Sequence, residues 1–579
     1  MTSSERRKTV ERVALYAGTA LLSLLVAVWV LQLHRADLRV PFRYGGDALL
    51  PALETKAVVD NGWCLNIPQV GAPSVLRMYD FPPQFDSLHL IAIKLMSAFT
   101  HDWALLFNLY FLLGFPLIAL SALAVFRHFG VSRAAAIAAS VLYAFLPSRL
   151  IKGQAHLFLD TFIEVPIAIL LMLWVCGDSP PLVRDRSAEN RPAGLELRSR
   201  RSKVALLLAV IVGATGLYYA FFSACLLVLG GTWAAILRRS PRNFLAGLSL
   251  AAIVALTVGV QDIPTFIYRS KNGVNAEVAN RLPGEAEVYG LRIAQLVLPI
   301  NGHRIPYLRN LESRYRGSAP MPGEFLSTSL GAVASVGFLV LLAVPFLGSG
   351  RQKDTGLWRS LASLNLSAVL LGTVGGFGSL FALLISPQIR TYCRLNVFIA
   401  FMALFAVVLL LDRLRRSRPI LVAVIAGFVL VFGLLDQTTP AHAEAYNADR
   451  ARYASDGELV AQIEQAVPAG AMIFELPFGA FPESIDDYVL VRPYLHSHSL
   501  RWSYPTMRGR EGETWARNTA ALAPTELLTA LRGADFAGIL INRDLYPDRG
   551  TAIEAAVRTI LGRDPQVSRD GNLAFFRLT

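Results

Sequence analysis

Long apolar runs that recur along residues 1–437 constrain the fold more than any other feature of this chain. A helix that rises 1.5 Å per residue needs roughly 20 apolar residues to cross the ~30 Å core of a bilayer. With 54% apolar and 17% charged residues, the sequence excludes an ordinary soluble protein. We predict about eleven membrane spans, near residues 13–33, 103–126, 134–147, 158–176, 204–217, 219–237, 244–262, 326–347, 359–377, 395–411 and 420–435. The stretch 204–237 is either two spans or one long kinked helix.

Basic residues between these runs predict the orientation of the chain. Lys and Arg concentrate in the short segments that face the cytoplasm. Every short segment on one side of the predicted spans carries them, at 127–133, 177–203, 238–242, 351–359 and 413–418. The first run, which follows Arg6, Arg7 and Lys8, then indicates a retained anchor with a cytoplasmic N-terminus. The net charge of +13 follows from this topology, so it does not indicate nucleic-acid binding.

The same topology places two long loops and the C-terminal region outside the cytoplasm. The loops cover about residues 34–102 and 263–325, within a transmembrane domain of residues 1–437. Residues 438–579 alternate between helical and strand patterns, which is typical of a small α/β domain. Its predicted helices are 457–466, 525–532 and 552–561, and its predicted strands are 471–476, 536–541 and 573–578.

Several motifs of known enzyme classes do not occur in the sequence. The four cysteines are scattered without a CxxC pair, so neither a zinc site nor a disulfide framework is indicated. There is no GxxxxGK[ST] phosphate loop and no HExxH motif. We expect no bound metal and no cofactor.

The first outer loop begins with two glycines and a carboxylate, Gly45, Gly46 and Asp47. The glycines permit close approach of a bulky ligand, and the carboxylate can act as a general base towards a hydroxyl acceptor. The alternative is that Asp47 caps a helix predicted over 48–59. Residue type alone leaves both interpretations open.

Three further ionisable residues follow in the same loop, namely Asp80, Asp86 and His89. Asp86 and His89 are three residues apart and share one face if 85–98 forms an interfacial helix. We keep all three as active-site candidates, although this spacing is weak evidence for a site and a solvated helix face is its more common explanation.

Cations cluster in the remaining outer segments. Arg149, Lys152 and His156 crowd the segment 147–157, and His303 and Arg304 lie in the second long loop. Arg390 and Arg394 are four residues apart at the outer end of a span, so they share one helix face. Paired guanidinium groups bind phosphate bidentately, although snorkelling from the bilayer accounts for the same pattern. The arginines and Lys152 are candidates for binding a phosphate, and His156 lies near the reacting group in that interpretation.

The layout resembles the GT-C class of integral-membrane glycosyltransferases, and it is most similar to YfhO-like bacterial membrane proteins. The matching pieces are Gly46-Asp47, the segment 147–157, and the segment 473–477 that opens the C-terminal region. The resemblance implies a polyprenyl-phosphate sugar donor, an inverting single displacement on the outer face of the bacterial inner membrane, and Asp47 as the catalytic acidic residue. The chain has Gly-Asp where the mannosyltransferase branch has Asp-Glu, and it lacks the metal-binding DxD of the oligosaccharyltransferase branch.

The acceptor implied by this resemblance is a lipid-linked glycan, a cell-wall polymer or a protein. A cluster of aromatic and imidazole side chains in the C-terminal region can stack on sugar faces or form a plain core. Its members are Tyr488, Tyr494, His496, His498, Trp502 and Tyr504. Two other classes stay open: a lipid-linked sugar flippase or transporter, and a membrane acyltransferase with His156 as its base. A flippase should carry polar residues through its spans, and these spans are apolar.

Overall fold

The structure is a computed structural model, and it describes residues 3–81, 83–184, 195–318, 328–346, 355–414, 418–440, 445–482 and 488–578. Parts of three predicted basic segments (185–194, 351–354 and 415–417) and the residues 319–327 lie outside this description. The described chain is mostly helical, with a small sheet near its C-terminus.

The helices occupy the full length of the chain. They are α1 Ser3–Val30, α2 Leu49–Asn61, α3 Ser87–Met96, α4 Trp103–His128, α5 Arg133–Ala144, α6 Pro147–Lys152, α7 Glu164–Cys176, α8 Arg200–Gly213, α9 Leu217–Arg238, α10 Pro241–Gln261, α11 Ile263–Asn272, α12 Glu285–Val288, α13 Ile293–Val297, α14 Pro306–Ser318, α15 Gly331–Ala343, α16 Thr355–Gly372, α17 Phe377–Leu384, α18 Asn396–Arg413, α19 Pro419–Gln437, α20 Tyr446–Ala466, α21 Arg492–His496, α22 Glu511–Ala520, α23 Pro524–Gly533 and α24 Thr551–Leu561.

The strands are short and fall into three sheets. They are β1 Asn66–Ile67, β2 Leu76–Arg77, β3 Leu182–Val183, β4 Leu195–Glu196, β5 Met472–Leu476, β6 Arg501–Trp502, β7 Phe536–Asn542, β8 Gln566–Val567 and β9 Leu573–Arg577. The pairs β1–β2 and β3–β4 are isolated antiparallel hairpins. The other five strands form the C-terminal sheet.

Each predicted membrane span lies on a helix, namely α1, α4, α5, α7, α8, α9, α10, α15, α16, α18 and α19. Seven helical segments of the described chain are long and apolar enough to cross a membrane. The predicted class, a polytopic helical protein with a small C-terminal α/β region, is confirmed, and the count of eleven spans stays a prediction. The stretch 204–237 forms two helices, because the chain breaks at Gly216, whose φ of 137° is outside the helical region.

Glycines let several of these helices approach each other closely. A Cβ atom at Gly247 of α10 would collide with the carbonyl oxygen of Leu227 in α9. A Cβ atom at Gly337 of α15 would collide with the carbonyl oxygen of Ala403 in α18. Small residues at such crossings are typical of helix packing in membranes, where close van der Waals contact replaces the hydrophobic effect.

The segments predicted to face the cytoplasm meet at one end of the helices. Arg238, at the end of α9, donates from Nε to the carbonyl of Cys176 at the end of α7 (2.9 Å). The amide of Ser132, before α5, donates to Asp412 Oδ2 near the end of α18 (2.8 Å). The predicted topology requires this arrangement.

The C-terminal sheet is mixed, with the strand order β6-β5-β7-β9-β8. β6, β5 and β7 are parallel, and β9 runs antiparallel to β7 and to β8. The predicted strands coincide with β5, β7 and β9, whereas β6, β8, α21 and α22 are not predicted. α20 begins at Tyr446, earlier than its predicted start, because its first turns pack on the membrane helices through the Tyr446 hydroxyl and the Leu31 carbonyl (2.7 Å).

The first outer loop covers the free edge of this sheet. The amide of Trp502 in β6 donates to the Gln69 carbonyl, and the amide of Ala72 donates to the Trp502 carbonyl, both at 2.9 Å. Arg501 adds a hydrogen bond from Nη2 to the carbonyl of Ser74 (2.7 Å). The loop is therefore held between the membrane helices and the C-terminal sheet.

Candidate active site

A cavity of about 360 Å³ lies where the first outer loop meets the beginnings of α9 and α18. Its charged and polar lining residues are Asp47, Glu54, Asp86, His156, Tyr218, Arg281, Arg390, Arg394 and Tyr488. Apolar side chains, among them Leu50, Leu157 and Phe158, complete the wall. Six separate segments of the chain, including the C-terminal region through Tyr488, thus contribute to one concave site. Such a site is the ordinary place for ligand binding.

Asp47, His156 and Arg394 lie in a row along this cavity. His156 Nε2 is 3.9 Å from Asp47 Oδ2, and Arg394 Nη2 is 3.4 Å from His156 Nδ1. Because a guanidinium group only donates, Nδ1 must accept and Nε2 carries the proton. The neutral imidazole then directs an N–H towards the Asp47 carboxylate, which is 59% exposed and accessible to a ligand.

A chain of buried amides holds the Asp47 and His156 segments together. Gln154, in the turn that ends at His156, donates from Nε2 to Asn108 Oδ1 of α4 (2.7 Å) and accepts from the amide of Arg43 (2.9 Å). Asn108 also donates to the carbonyls of Leu38 and Val40 at 2.9 and 2.7 Å. Asn108 and Gln154 therefore set the position of the loop that carries Asp47.

Tyr44 anchors the same loop to the C-terminal region. Its hydroxyl donates to Asp456 Oδ2 of α20 (3.0 Å) and lies 2.9 Å from His496 Nε2. Arg492 stacks over the Tyr44 ring and donates to its carbonyl at 3.3 Å. Burial raises the pKa of Asp456 to about 6, opposed by the charge of Arg492.

Arg390 and Arg394 both line the cavity. The prediction that they share one helix face is wrong, because Arg390 lies in non-helical chain, Arg394 lies in the turn Tyr392–Leu395, and α18 begins only at Asn396. Arg394 stacks over the Tyr218 ring at 4.6 Å. Arg390 stacks over Tyr289 and pairs with Glu285 Oε2 at 2.6 Å. With Arg281, the cavity contains three guanidinium groups that can meet an anionic ligand.

Glu54 and Asp86 line the inner part of the cavity. Glu54 lies in α2, lines the same cavity as Asp47 of the preceding turn, and is 6% exposed. Burial raises the pKa of Glu54 well above its ordinary value, and the charge of Asp86 adds to this. Burial likewise raises the pKa of Asp86 to about 7, opposed by Arg394. Glu54 and Arg281 were not predicted from the sequence; the place of Glu54 in the helix predicted over 48–59, soon after Asp47, was the available indication.

Arg149 and Lys152 do not line the cavity. Arg149 is fully buried, where it donates to the carbonyl oxygens of Asp160 and Phe111 (the latter at 2.7 Å) and stacks over the Phe115 ring at 4.2 Å. Arg149 thus connects α4 to the segment before α7. Lys152 borders a much smaller space that adjoins the cavity at Arg394.

The residues from the second outer loop lie elsewhere. His303 is buried, accepts from the Ile305 amide at Nδ1 (3.0 Å) and faces Asp436 with Nε2 (3.3 Å). Arg304 donates to the Thr438 hydroxyl at 3.4 Å and stacks over Trp29. Both side chains connect this loop to the ends of α1 and α19 instead of reaching the cavity.

Asp80 and His89 are also absent from the cavity lining. Asp80 is buried in a bidentate pair with Arg510, from Nε to Oδ2 at 2.7 Å and from Nη2 to Oδ1 at 2.9 Å. His89 lies between the Thr215 carbonyl and the Tyr110 hydroxyl, and burial lowers its pKa to about 4. Asp86 and His89 therefore do not share a face, because Asp86 precedes α3 and turns into the cavity.

Of the aromatic cluster in the C-terminal region, Tyr488 alone is among the residues that line the described cavity. Trp502 and Tyr494 are buried against the first outer loop, and His498 is exposed elsewhere. Within the described residues, no three His, Cys, Asp or Glu side chains are grouped so that they could hold a metal ion.

Comparison with known proteins identifies the fold. No family model matches the sequence, and no curated protein matches it. ArnT from Cupriavidus metallidurans, solved with bound undecaprenyl phosphate, is similar over 98% of each chain with 15% identity and a TM-score of 0.52. The oligosaccharyltransferase of Archaeoglobus fulgidus is similar over 97% of this chain and 74% of its own, with 13% identity and a TM-score of 0.47.

The likeness to ArnT shows that the chain has a GT-C fold, as the sequence predicts. Together with the apolar helices, it shows the architecture of a multi-pass membrane protein. The resemblance to YfhO-like proteins stays a prediction.

Proposed function

We propose that this protein is a glycosyltransferase that moves a sugar from a polyprenyl-phosphate donor to an acceptor hydroxyl on the extracytoplasmic face of the bacterial inner membrane. The observation that carries the proposal is the convergence of Asp47, His156, Arg390 and Arg394 on one cavity. The fold and the bound lipid phosphate of ArnT support the choice of donor class.

In this mechanism Asp47 is the general base. The acceptor oxygen attacks the anomeric carbon as Asp47 takes its proton, and the bond from that carbon to the phosphate oxygen breaks. Polyprenyl phosphate leaves with the bonding electrons, and the configuration at the anomeric carbon is inverted. A positioned base of this kind contributes about 10²–10⁴-fold to the rate.

Other residues of the cavity stabilise the leaving phosphate and position the base. Arg394 and Arg390 stabilise the charge that develops on the leaving phosphate. His156 is a positioning residue, because its Nε2–H faces the Asp47 carboxylate at 3.9 Å and its Nδ1 faces Arg394. The reaction consumes only donor and acceptor, and the proposal includes no metal and no cofactor.

The acceptor is a glycan, a cell-wall polymer or a protein, and in the proposal it approaches from the side of the C-terminal region. Tyr488, which lines the cavity, is the residue of that region best placed to contact it. We propose that residues 438–579 form an extracytoplasmic domain that guides the acceptor without supplying the base.

The decisive experiment compares envelope glycans of cells that contain the wild-type protein, no protein, or the Asp47→Asn variant. Mass spectrometry should show one sugar addition with the wild-type protein only. Asp564→Asn, a change at an exposed carboxylate far along the chain, is the matched control and should behave as wild type. Identical glycans in cells with and without the wild-type protein would contradict the proposal.

A second experiment tests the orientation on which the proposal depends. A reporter enzyme that is active only outside the cytoplasm is fused after Thr579. We expect activity, because the predicted topology places the C-terminal region and the cavity on the outer side. A cytoplasmic reporter signal would overturn this orientation.

A further inference from the structure

Glu54 is a buried carboxyl group that faces the cavity and has no partner in the described chain. It is 6% exposed, yet it lines the cavity together with Leu50 of α2 and with Asp47 of the turn before α2. No hydrogen bond or ion pair to its carboxyl group exists among the described residues. Buried polar groups in proteins ordinarily have a hydrogen-bond partner, so a carboxyl group without one at a cavity wall is an indication of a ligand.

Asp86 provides a second carboxyl group beside it. Asp86 ends the turn before α3 and faces the break between α8 and α9, where a Cβ atom at Gly216 would lie 3.2 Å from Asp86 Oδ1. Burial disfavours ionisation of both carboxyl groups, and at Glu54 the charge of Asp86 adds to this. A carboxyl group that keeps its proton donates as well as accepts hydrogen bonds.

The cavity therefore presents two kinds of polar group. Arg390 and Arg394 present only donors and suit a phosphate, whereas the carboxyl groups of Glu54 and Asp86 accept hydrogen bonds and, when protonated, also donate one. A sugar hydroxyl is one donor and two acceptors, and it matches a carboxyl pair in this state. The volume of about 360 Å³ is at the low end of ligand pockets and suits a single sugar unit with its phosphate.

We propose that Glu54 and Asp86 bind hydroxyl groups of the donor sugar and thereby select which monosaccharide is transferred. The proposal rests on the proposed function, since it assigns the sugar end of the same donor. Its physical basis is selectivity by unsatisfied polar groups: a sugar that lacks the matching hydroxyl leaves Glu54 buried and unpaired. A site that hydrogen-bonds a substrate hydroxyl rejects an analogue without that hydroxyl far more strongly, by orders of magnitude, than an apolar pocket rejects an analogue that lacks a methylene group.

The experiment measures competition against labelled undecaprenyl phosphate by the purified full-length protein. The competitors are unlabelled undecaprenyl phosphate and its glucose, galactose, mannose and arabinose conjugates. For the wild-type protein, at least one sugar conjugate should bind about tenfold or more tightly than bare undecaprenyl phosphate. In Glu54→Gln this gain in affinity from the sugar should be lost, while the affinity for bare undecaprenyl phosphate is unchanged. A deoxy analogue of the preferred sugar should bind both proteins equally.

The matched control is Glu475→Gln, which changes a buried carboxyl group of β5 that accepts from the Tyr504 amide outside the cavity lining. It should keep the gain from the sugar. Binding of bare undecaprenyl phosphate reports whether each variant is folded. If Glu54→Gln loses that binding, the shorter Glu54→Asp replaces it, with the same expected loss of the sugar gain.

The outcomes separate the two proposals. If the sugar gain persists in the Glu54 variants, or if no sugar adds affinity in the wild-type protein, the selectivity proposal is overturned and the proposed function stands. If the wild-type protein binds neither undecaprenyl phosphate nor any conjugate, the proposed function fails and the selectivity proposal fails with it.

Discussion

Asp47 and Asp80 belong to the same outer loop and have opposite surroundings. Asp47 is 59% exposed and faces the cavity beside His156. Asp80 has no exposed side-chain surface and is held by Arg510, with Asn275 as a further donor at 3.2 Å. One carboxylate is available for chemistry, whereas the other joins the loop to the C-terminal region. Both are aspartates of the same loop, so neither residue type nor membership of the loop distinguishes them. The residues that each carboxylate contacts determine its role.

The largest expected effect is the loss of sugar transfer in the Asp47→Asn variant. The change preserves size and removes basicity, so transfer should fall by about 10²–10⁴-fold while the melting temperature is unchanged. The measurement is sugar transfer at matched membrane abundance. If Asp47 acts only as a helix cap, Asn replaces it almost equally well and transfer stays near normal. That result would remove Asp47 from the proposed mechanism.

Asp80→Asn should give the reverse pattern, a loss of stability without a loss of chemistry. Removing one member of a buried ion pair costs about 3–5 kcal/mol, because Arg510 keeps an uncompensated charge. Thermal unfolding in detergent should therefore shift to lower temperature, with near-normal turnover of the protein that remains folded. The double variant that combines Asp80→Asn with Arg510→Met should recover part of the stability. Equal stability of Asp80→Asn and wild type would contradict the bridging role.

The next effect is smaller and concerns the donor phosphate. Arg394→Ala and Arg390→Ala should each weaken binding of undecaprenyl phosphate by about ten- to a hundredfold, as expected for a lost charged hydrogen bond. A Lys at either position should restore binding only partly, since its ammonium group lacks the planar, forked set of donors of a guanidinium group. If both Ala variants keep wild-type affinity in a competition assay, the phosphate site must lie elsewhere.

The smallest effect is a pH dependence of stability that comes from Asp86. Its pKa is raised to about 7 by burial, despite Arg394, so the folded state favours the protonated form over the ionised one. This contribution is present at low pH and is lost as pH rises from about 4 towards 7. The wild-type protein should therefore melt a few degrees lower at pH 8 than at pH 5, and Asp86→Asn should flatten this difference. An unchanged pH profile in Asp86→Asn would contradict the assignment.

Local patterns in the sequence were sufficient for the architecture and for part of the site. Apolar runs and alternating patterns depend on neighbouring residues, so the membrane helices and the strands β5, β7 and β9 were predictable. Asp47, His156, Arg390 and Arg394 were singled out by residue type, and the structure brings these four to one cavity.

Burial and pairing across long stretches of sequence account for what was not predictable. Arg149 has the residue type of a phosphate ligand, but its donors are taken by carbonyl groups of α4 and of the segment before α7. Asp80 meets Arg510 from the far end of the chain. Glu54, conversely, becomes a candidate only because α2 places it at a cavity that five segments beyond the first outer loop complete. None of these partners can be read from local spacing.

The contact of Tyr44 with Arg492 and Asp456 has a consequence for biosynthesis. These partners are made after all the membrane helices, and chains are synthesised and folded from the N-terminus onwards. The loop that carries Asp47 therefore lacks these contacts until the last part of the polypeptide has been synthesised and docks. A nascent or truncated chain holds an incomplete cavity, so synthesis of the C-terminal region is the step that finishes the site.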